Sequence, residues 1–212
     1  TFIKTDSGTE TNLAAIADHP RFRFHEGNIR DGDLMETLVE ETDRIFHLAA
    51  AVGVMLIVER PVHTIETNIQ GTELVLQCAA RHGRPVLVAS SSEVCGKGTG
   101  VAFKEEHDMV LGPTSRSRWS YAASKAVDEF LALAYHAEMS LPVVVVRLFN
   151  TVGPRQVGRY GMVLPRFVRQ ALAGEPITVY GDGAQVRCFA HVSDVVRAVL
   201  DLLDCDAACG QV

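Results

Sequence analysis

Short apolar runs and longer stretches of helical periodicity alternate along most of the chain. Val86-Leu87-Val88-Ala89 and Val143-Val144-Val145-Val146 are unbroken apolar runs of the kind found in parallel strands covered on both faces, and Ile45-Phe46-His47-Leu48-Ala49 reads the same way. Between them, residues 61–80 and 121–139 carry apolar side chains every three or four positions, the spacing of a helix with one buried face. A shorter helix is expected over Leu34, Leu38 and Val39. Toward the front, Arg21-Phe22-Arg23-Phe24-His25 alternates like a strand, and residues 1–4 form a short strand. Leu13, Ala14, Ile16 and Ala17 predict a helix after the turn-forming segment Asp6-Ser7-Gly8. Repeated strand–helix–strand units give an α/β fold, a Rossmann-type doubly wound parallel sheet. Residues 1–150 form that domain, and residues 151–212 begin a small C-terminal lobe interleaved with the last elements of the sheet.

Composition narrows the class. At 212 residues and 47% apolar, the chain can bury one good core. A net charge of −6 argues against nucleic acid or a membrane surface as partner, while Arg147, Arg155, Arg159, Arg166, Arg169 and Arg187 leave room for a local anion-binding pocket. The five cysteines show no Cys-x-x-Cys spacing, so neither a metal site nor a disulfide framework is expected. No apolar run reaches the roughly 18 residues of a membrane span, and a cytoplasmic setting is expected.

Chemistry collects at the expected carboxyl ends of the strands, where such sheets bind ligands. These ends carry Ala49-Ala50-Ala51, then Ser90-Ser91-Ser92-Glu93, then Arg147, Phe149 and Asn150. Directly after the second, Tyr121 and Lys125 lie four apart on one helical face. An ammonium beside a phenol stabilises the phenolate and lowers its pKa, which makes a tyrosine usable as a base near neutrality.

The order of Leu48-Ala49-Ala50, Asn68 in Thr67-Asn68-Ile69-Gln70-Gly71-Thr72, Ser91, Tyr121, Lys125 and Arg147-Leu148-Phe149-Asn150-Thr151-Val152-Gly153-Pro154-Arg155 resembles the extended short-chain dehydrogenase/reductase family. Within it the chain is similar to the NAD-dependent nucleotide-sugar epimerases, dehydratases and decarboxylases. The resemblance implies that Tyr121 takes the proton of the sugar 4-hydroxyl as hydride passes to NAD, with Lys125 lowering its pKa and holding the nicotinamide ribose, and Ser91 bonding the same hydroxyl. It implies NAD contacts at Asn28, Ile29, Leu48, Ala49, Ala50, Asn68 and Ser90, and UDP-sugar contacts at Ser92, Val163, Val179, Tyr180, Asn150 and Arg187. The stretch 176–181 is expected as the strand flanking the uracil, and residues 61–80 and 121–139 as the helices of a two-fold homodimer.

Two departures from the family pattern matter. The glycine-rich turn that cradles the pyrophosphate occurs nowhere in the chain, so the N-terminal glycine-rich unit, roughly 30 residues, is expected to be missing, and Asp6 is only a shifted candidate for the ribose-binding acid. The Asp-Glu pair of the 4,6-dehydratases is replaced by Ser92-Glu93, which argues against dehydration. Ser92-Glu93, and Gly112-Pro113 leading to Arg118-Trp119-Ser120-Tyr121, resemble the UDP-glucuronate decarboxylases; small residues at Cys95, Ala122 and Ala123 suit a roomier epimerase pocket. The expectation is a UDP-sugar 4-epimerase acting through a 4-keto sugar, with decarboxylation of UDP-glucuronate second; Glu93 joins Ser91, Tyr121 and Lys125 as a catalytic candidate. A non-catalytic nucleotide-binding member of the fold is the alternative of another class.

Overall fold

The computed structural model describes residues 2–4, 10–52, 54–98, 102–156 and 162–212. Three strands, β3 (Ile45–His47), β4 (Val86–Ser91) and β5 (Val143–Leu148), form a parallel sheet in that order, with Ile45 opposite Val86 and Val86 opposite Val143. Strands β1 (Phe2–Lys4) and β2 (Phe24–Glu26) pair in parallel with each other, as do β6 (Asn150–Val152) and β7 (Phe189–His191). Beyond β5 the C-terminal segment adds to the edge, where Val145 N donates to Gln211 O at 3.0 Å and Gly210 N to Val143 O at 2.7 Å.

Alternation along the strands separates two cores. Val86 and Val88 of β4 and Val143 and Val145 of β5 face Leu76, Ala79 and Ala132, whereas Leu87 and Val144 face Val199 on the other side. The first side is covered by α1 (Gly32–Glu40), α3 (Pro61–His82) and α4 (Trp119–Met139); the second by α6 (Val192–Leu203). Residues 192–203 thus return to the sheet after β6, α5 (Val163–Leu172) and β7 have left it. A short α2 (Val54–Glu59), absent from the periodicity reading, precedes α3.

Local chemistry explains the helix bounds. Asp31 caps α1 by accepting from Leu34 N at 3.2 Å, and α3 opens on Pro61, which has no N–H to leave unpaired, and closes on Gly83 at φ 61°. Three expectations need correction. Residues 13–17 are not an α-helix: a 3-10 turn (Glu10–Leu13) passes into turns with Ile16 N on Leu13 O and His19 N on Ile16 O, because the run is too short to nucleate a helix and Pro20 disfavours helical backbone at His19. The strand at 21–25 shrinks to β2, since Phe22 N is held in a turn by His19 O. No strand forms at 176–181, where Thr178 bonds the side chains of α5 instead: its N–H donates to Gln170 Oε1 at 3.2 Å and its hydroxyl accepts from Gln170 Nε2 at 2.8 Å.

Candidate active site

Because β3, β4 and β5 are parallel, their carboxyl ends share one edge, and the 3-10 turn after β4 (Ser92–Cys95) packs on the start of α4. Ser91 ends β4 and caps that turn, its Oγ accepting from Glu93 N at 3.3 Å. Tyr121 lies in the first turn of α4 and is 8% exposed. Burial pushes the phenol above the usual tyrosine range; the Ser91 hydroxyl draws it down, and the negative charges of Glu93 and Asp128 push it up. The Lys125 ammonium is turned to Asp128, with Nζ 2.7 Å from Oδ2, and both side chains are fully buried.

Asn68 is also buried, 1% exposed, and its amide is the clasp of the β3 end. Oδ1 accepts from Ala51 N at 2.8 Å and Nδ2 donates to Ser124 Oγ at 3.1 Å, which ties the loop after β3 to α4 one turn beyond Tyr121. That loop presents Ala49 and Ala50, half-buried, beside Leu48, which is 57% exposed. A flat apolar ledge on a pinned backbone fits a planar ring of a dinucleotide. The other residues expected at the cofactor are placed as follows. Ile29 is core, packed against Gly71, where a Cβ would collide with its Cδ1. The Ser90 hydroxyl donates to Glu129 Oε1, so it turns under the sheet. Asn28 is exposed and accepts from Arg30 N at 3.0 Å. Asp6 lies outside the described residues, as does Arg159.

On the substrate side, Glu93 is exposed and faces Arg118 Nη2 at 3.7 Å, with Ser92 half-buried between it and Ser91. The Arg118 guanidinium stacks on Trp119 at 4.6 Å, and the indole fills the space a side chain at Gly112 would need. Asn150, the first residue of β6, donates to Cys188 O at 2.9 Å, next in the chain to Arg187, while Arg187 itself donates to Val186 O at 2.8 Å. Val163 is half-buried at the start of α5; Val179 and Tyr180 are exposed, with the Arg166 guanidinium over the Tyr180 ring at 4.6 Å. Among the described residues, Arg147 and Arg155 are turned to protein partners. Arg147 is spent on Glu129, donating at 3.0, 3.3 and 2.8 Å, and Arg155 reaches back to Asn12 O at 3.4 Å.

Residues 1–210 match the sequence profile of the NAD dependent epimerase/dehydratase family. The chain belongs to this family. It is 48% identical over 178 residues to the UDP-N-acetyl-alpha-D-glucosaminuronate decarboxylase of Bacillus cytotoxicus, covering 84% of this chain and 55% of that protein. In structure it resembles the dTDP-glucose 4,6-dehydratase DesIV of Streptomyces venezuelae with NAD bound, with a TM-score of 0.84 and 36% identity over 96% of this chain and 61% of that one. A UDP-glucuronic acid 4-epimerase of Bacillus cereus, in complex with UDP-glucuronic acid and NAD, gives a TM-score of 0.84 and 27% identity over 95% and 62%. The chain therefore spans little more than half the length of these members of the epimerase/dehydratase family. The fold of the family, a parallel α/β sheet of Rossmann type, is the one observed.

Two carboxylates escaped the sequence reading. Asp128 and Glu129 follow Lys125 on α4 and look like solvent-facing helix positions, yet both are buried. The i, i+3 spacing of Lys125 and Asp128 was the available signal; nothing local marked Glu129, whose partners Ser90 and Arg147 are 39 and 18 residues away.

Proposed function

We propose that the protein of which this chain is part is an NAD-dependent decarboxylase of a UDP-linked hexuronate. The observation that carries the reading is the placement of Glu93 and Arg118, 3.7 Å apart, at the mouth of the buried Tyr121–Ser91 pair, in a chain that is 48% identical to a UDP-hexuronate decarboxylase. The ordering of activities thus differs from the expectation from sequence: decarboxylation is placed ahead of 4-epimerisation. Bound NAD supplies hydride exchange at sugar C4. Tyr121 takes the C4-hydroxyl proton, Ser91 bonds the same oxygen, and Lys125 holds positive charge below the site. With C4 a ketone, the carboxylate on C5 is β to a carbonyl, so loss of CO₂ leaves an enolate that regains a proton at C5. Arg118 orients the substrate carboxylate, for which a guanidinium fork is suited, and Glu93 stands beside it to handle the proton. Asn150 and Arg187 serve the diphosphate, and Leu48, Ala49 and Ala50 serve the nicotinamide end of NAD, with Asn68 fixing their backbone.

We further propose a cytoplasmic homodimer formed through α3 and α4, on which Val62 (66% exposed) and Phe130 (64%) offer apolar contact. No helix among the described residues is long and apolar enough to cross a membrane.

The test is incubation of the full-length protein and NAD with UDP-glucuronate and with UDP-N-acetylglucosaminuronate, following CO₂ and the nucleotide sugar. Release of CO₂ supports decarboxylation. A C4-epimer without CO₂ makes the protein a 4-epimerase, and no change in either substrate, with no NAD recovered from the purified protein, rejects both enzyme readings.

A further inference from the structure

The roles above leave Asp128 without a part, although it is the most completely buried acid in the described structure, at 0% exposed. Its Oδ2 accepts from Lys125 Nζ at 2.7 Å; Oδ1 is buried with no hydrogen-bond partner. The hydroxyl of Thr72 on α3 lies close enough to steady the carboxylate, and it also bonds His47 Nε2 of β3 at 3.0 Å. Around the pair, the charged and titratable neighbours among the described residues are these. On α4, Glu129 is closed by Arg147 of β5. From β3, His47 is held neutral, its pKa lowered to about 3 by burial and by the Lys125 charge. From the turn after β4, Glu93 acts on Tyr121 from the solvent side. From α3, Asn68 and Thr72 bring dipoles but no charge.

Lys125 therefore has one carboxyl partner, Asp128, in a space closed to water; burial pushes that carboxyl up, and the Lys125 charge and hydrogen bond draw it back down. That carboxylate also acts on Tyr121, in the direction opposite to an ammonium. We propose that Asp128 is a positioning residue for the base: it fixes the Lys125 ammonium between α4, α3 and β3 and offsets the positive charge that Lys125 presents to Tyr121. The inference takes Tyr121 and Lys125 as the reactive pair and adds the group that sets how strongly they are coupled. A buried ammonium needs a counter-charge to remain ionised, and one with a partner this close stabilises the phenolate less.

The test titrates Tyr121 directly. Phenolate absorbance of the full-length protein is followed with pH and corrected by subtracting the Tyr121→Phe variant, then repeated for Asp128→Asn, with circular dichroism confirming that each stays folded. Asp128→Asn keeps the shape and an acceptor oxygen but removes the charge, so the Tyr121 pKa should fall by about one unit, the low end of what a neighbouring charge does. An unmoved or raised pKa overturns the proposal. Where Asp128→Asn does not fold, Lys125→Met/Asp128→Asn removes cation and anion together; offsetting charges predict a Tyr121 pKa within about half a unit of the parent, and a shift of more than about one unit overturns it. The titration needs no turnover. A shifted phenol in a protein without activity on UDP-hexuronates would leave this proposal standing and reject the proposed reaction.

Discussion

Replacing Arg147 separates an anion-binding arginine from an architectural one. Its guanidinium donates three hydrogen bonds, at 3.0, 3.3 and 2.8 Å, to the two oxygens of Glu129, and the side chains are 13% and 6% exposed. Glu129 Oε1 accepts in addition from Ser90, so the carboxylate ties α4 to β4 and β5 at once. Arg147→Met deletes the cation and keeps the apolar stem, leaving a buried carboxylate with one hydroxyl. Breaking one side of a buried pair costs about 3–5 kcal/mol, whereas removing both partners is often close to neutral. Against a stability of about 5–15 kcal/mol, the single loss is a large fraction. Urea unfolding of the full-length protein should show the unfolding free energy of Arg147→Met falling by that amount, read as a lower midpoint at unchanged slope. Arg147→Met/Glu129→Gln should recover most of it, since the amide oxygen still accepts from Ser90. The substrate KM of whatever Arg147→Met remains folded should stay within about two-fold of the parent, because uniform binding energy is what KM reads. Stability within about 1 kcal/mol of the parent together with a KM raised ten-fold or more would place Arg147 on the substrate and refute this account.

Three further outcomes follow from the geometry. Tyr121→Phe should abolish turnover while NAD binding, read by titration calorimetry, is retained; a fully active variant removes Tyr121 from the base role. Gly112→Ala should destabilise by about 1–3 kcal/mol, the usual cost of overpacking, because its Cβ collides with the Trp119 indole, and thermal melting reads this directly. His47 gives an acid limb. Burial and Lys125 lower its pKa from 6.5 to about 3, so the folded chain binds fewer protons than the unfolded one between those values. Its contribution is present above pH 6.5 and is lost as pH falls toward 3. Unfolding free energy against pH should decline less steeply across that window in His47→Gln than in the parent, and parallel curves would contradict the assignment.

The elements that could be read in advance were those whose pattern is self-sufficient. The run from Val86 and the run from Val143 are each longer than a turn, bounded by Pro85 and Pro142, and buried on both faces, so hydrophobicity alone delimits β4 and β5. The spacing within α3 and α4 is equally explicit, and Tyr121 and Lys125 were visible because they share a helix face. What escaped depends on partners remote in sequence. The run at Pro176 carries the β-branched residues of a strand, but Gln170 captures the backbone of Thr178, and nothing in the run itself signals that. Ser90 reads as a polar strand end facing a ligand until Glu129 is found beneath it. In each case a polar side chain chose a tertiary partner over the local role its type and position suggested.

That same choice bears on which reaction the site favours. Tyr121 serves as a base near neutrality the closer its pKa comes down to the working pH, and Glu93 works against this, since its negative charge pushes the phenol up. An epimerase gains nothing for that cost: it needs one base, one hydride carrier and room for the keto sugar to turn, and an uncharged side chain at Glu93 would serve it better. A decarboxylase has a use for the carboxylate. Its substrate brings a second carboxylate to the C5 side, Arg118 at 3.7 Å from Glu93 can be shared between the two, and loss of CO₂ hands that arginine back to Glu93 as the enolate seeks a proton. Glu93→Gln should therefore act on two steps in opposite directions. Oxidation at C4 should proceed at lower pH, because the phenol is relieved of a negative neighbour, while CO₂ release slows, so that a 4-keto sugar accumulates in single-turnover experiments. Faster overall turnover without accumulation would mean that Glu93 only burdens the base, and would favour epimerisation.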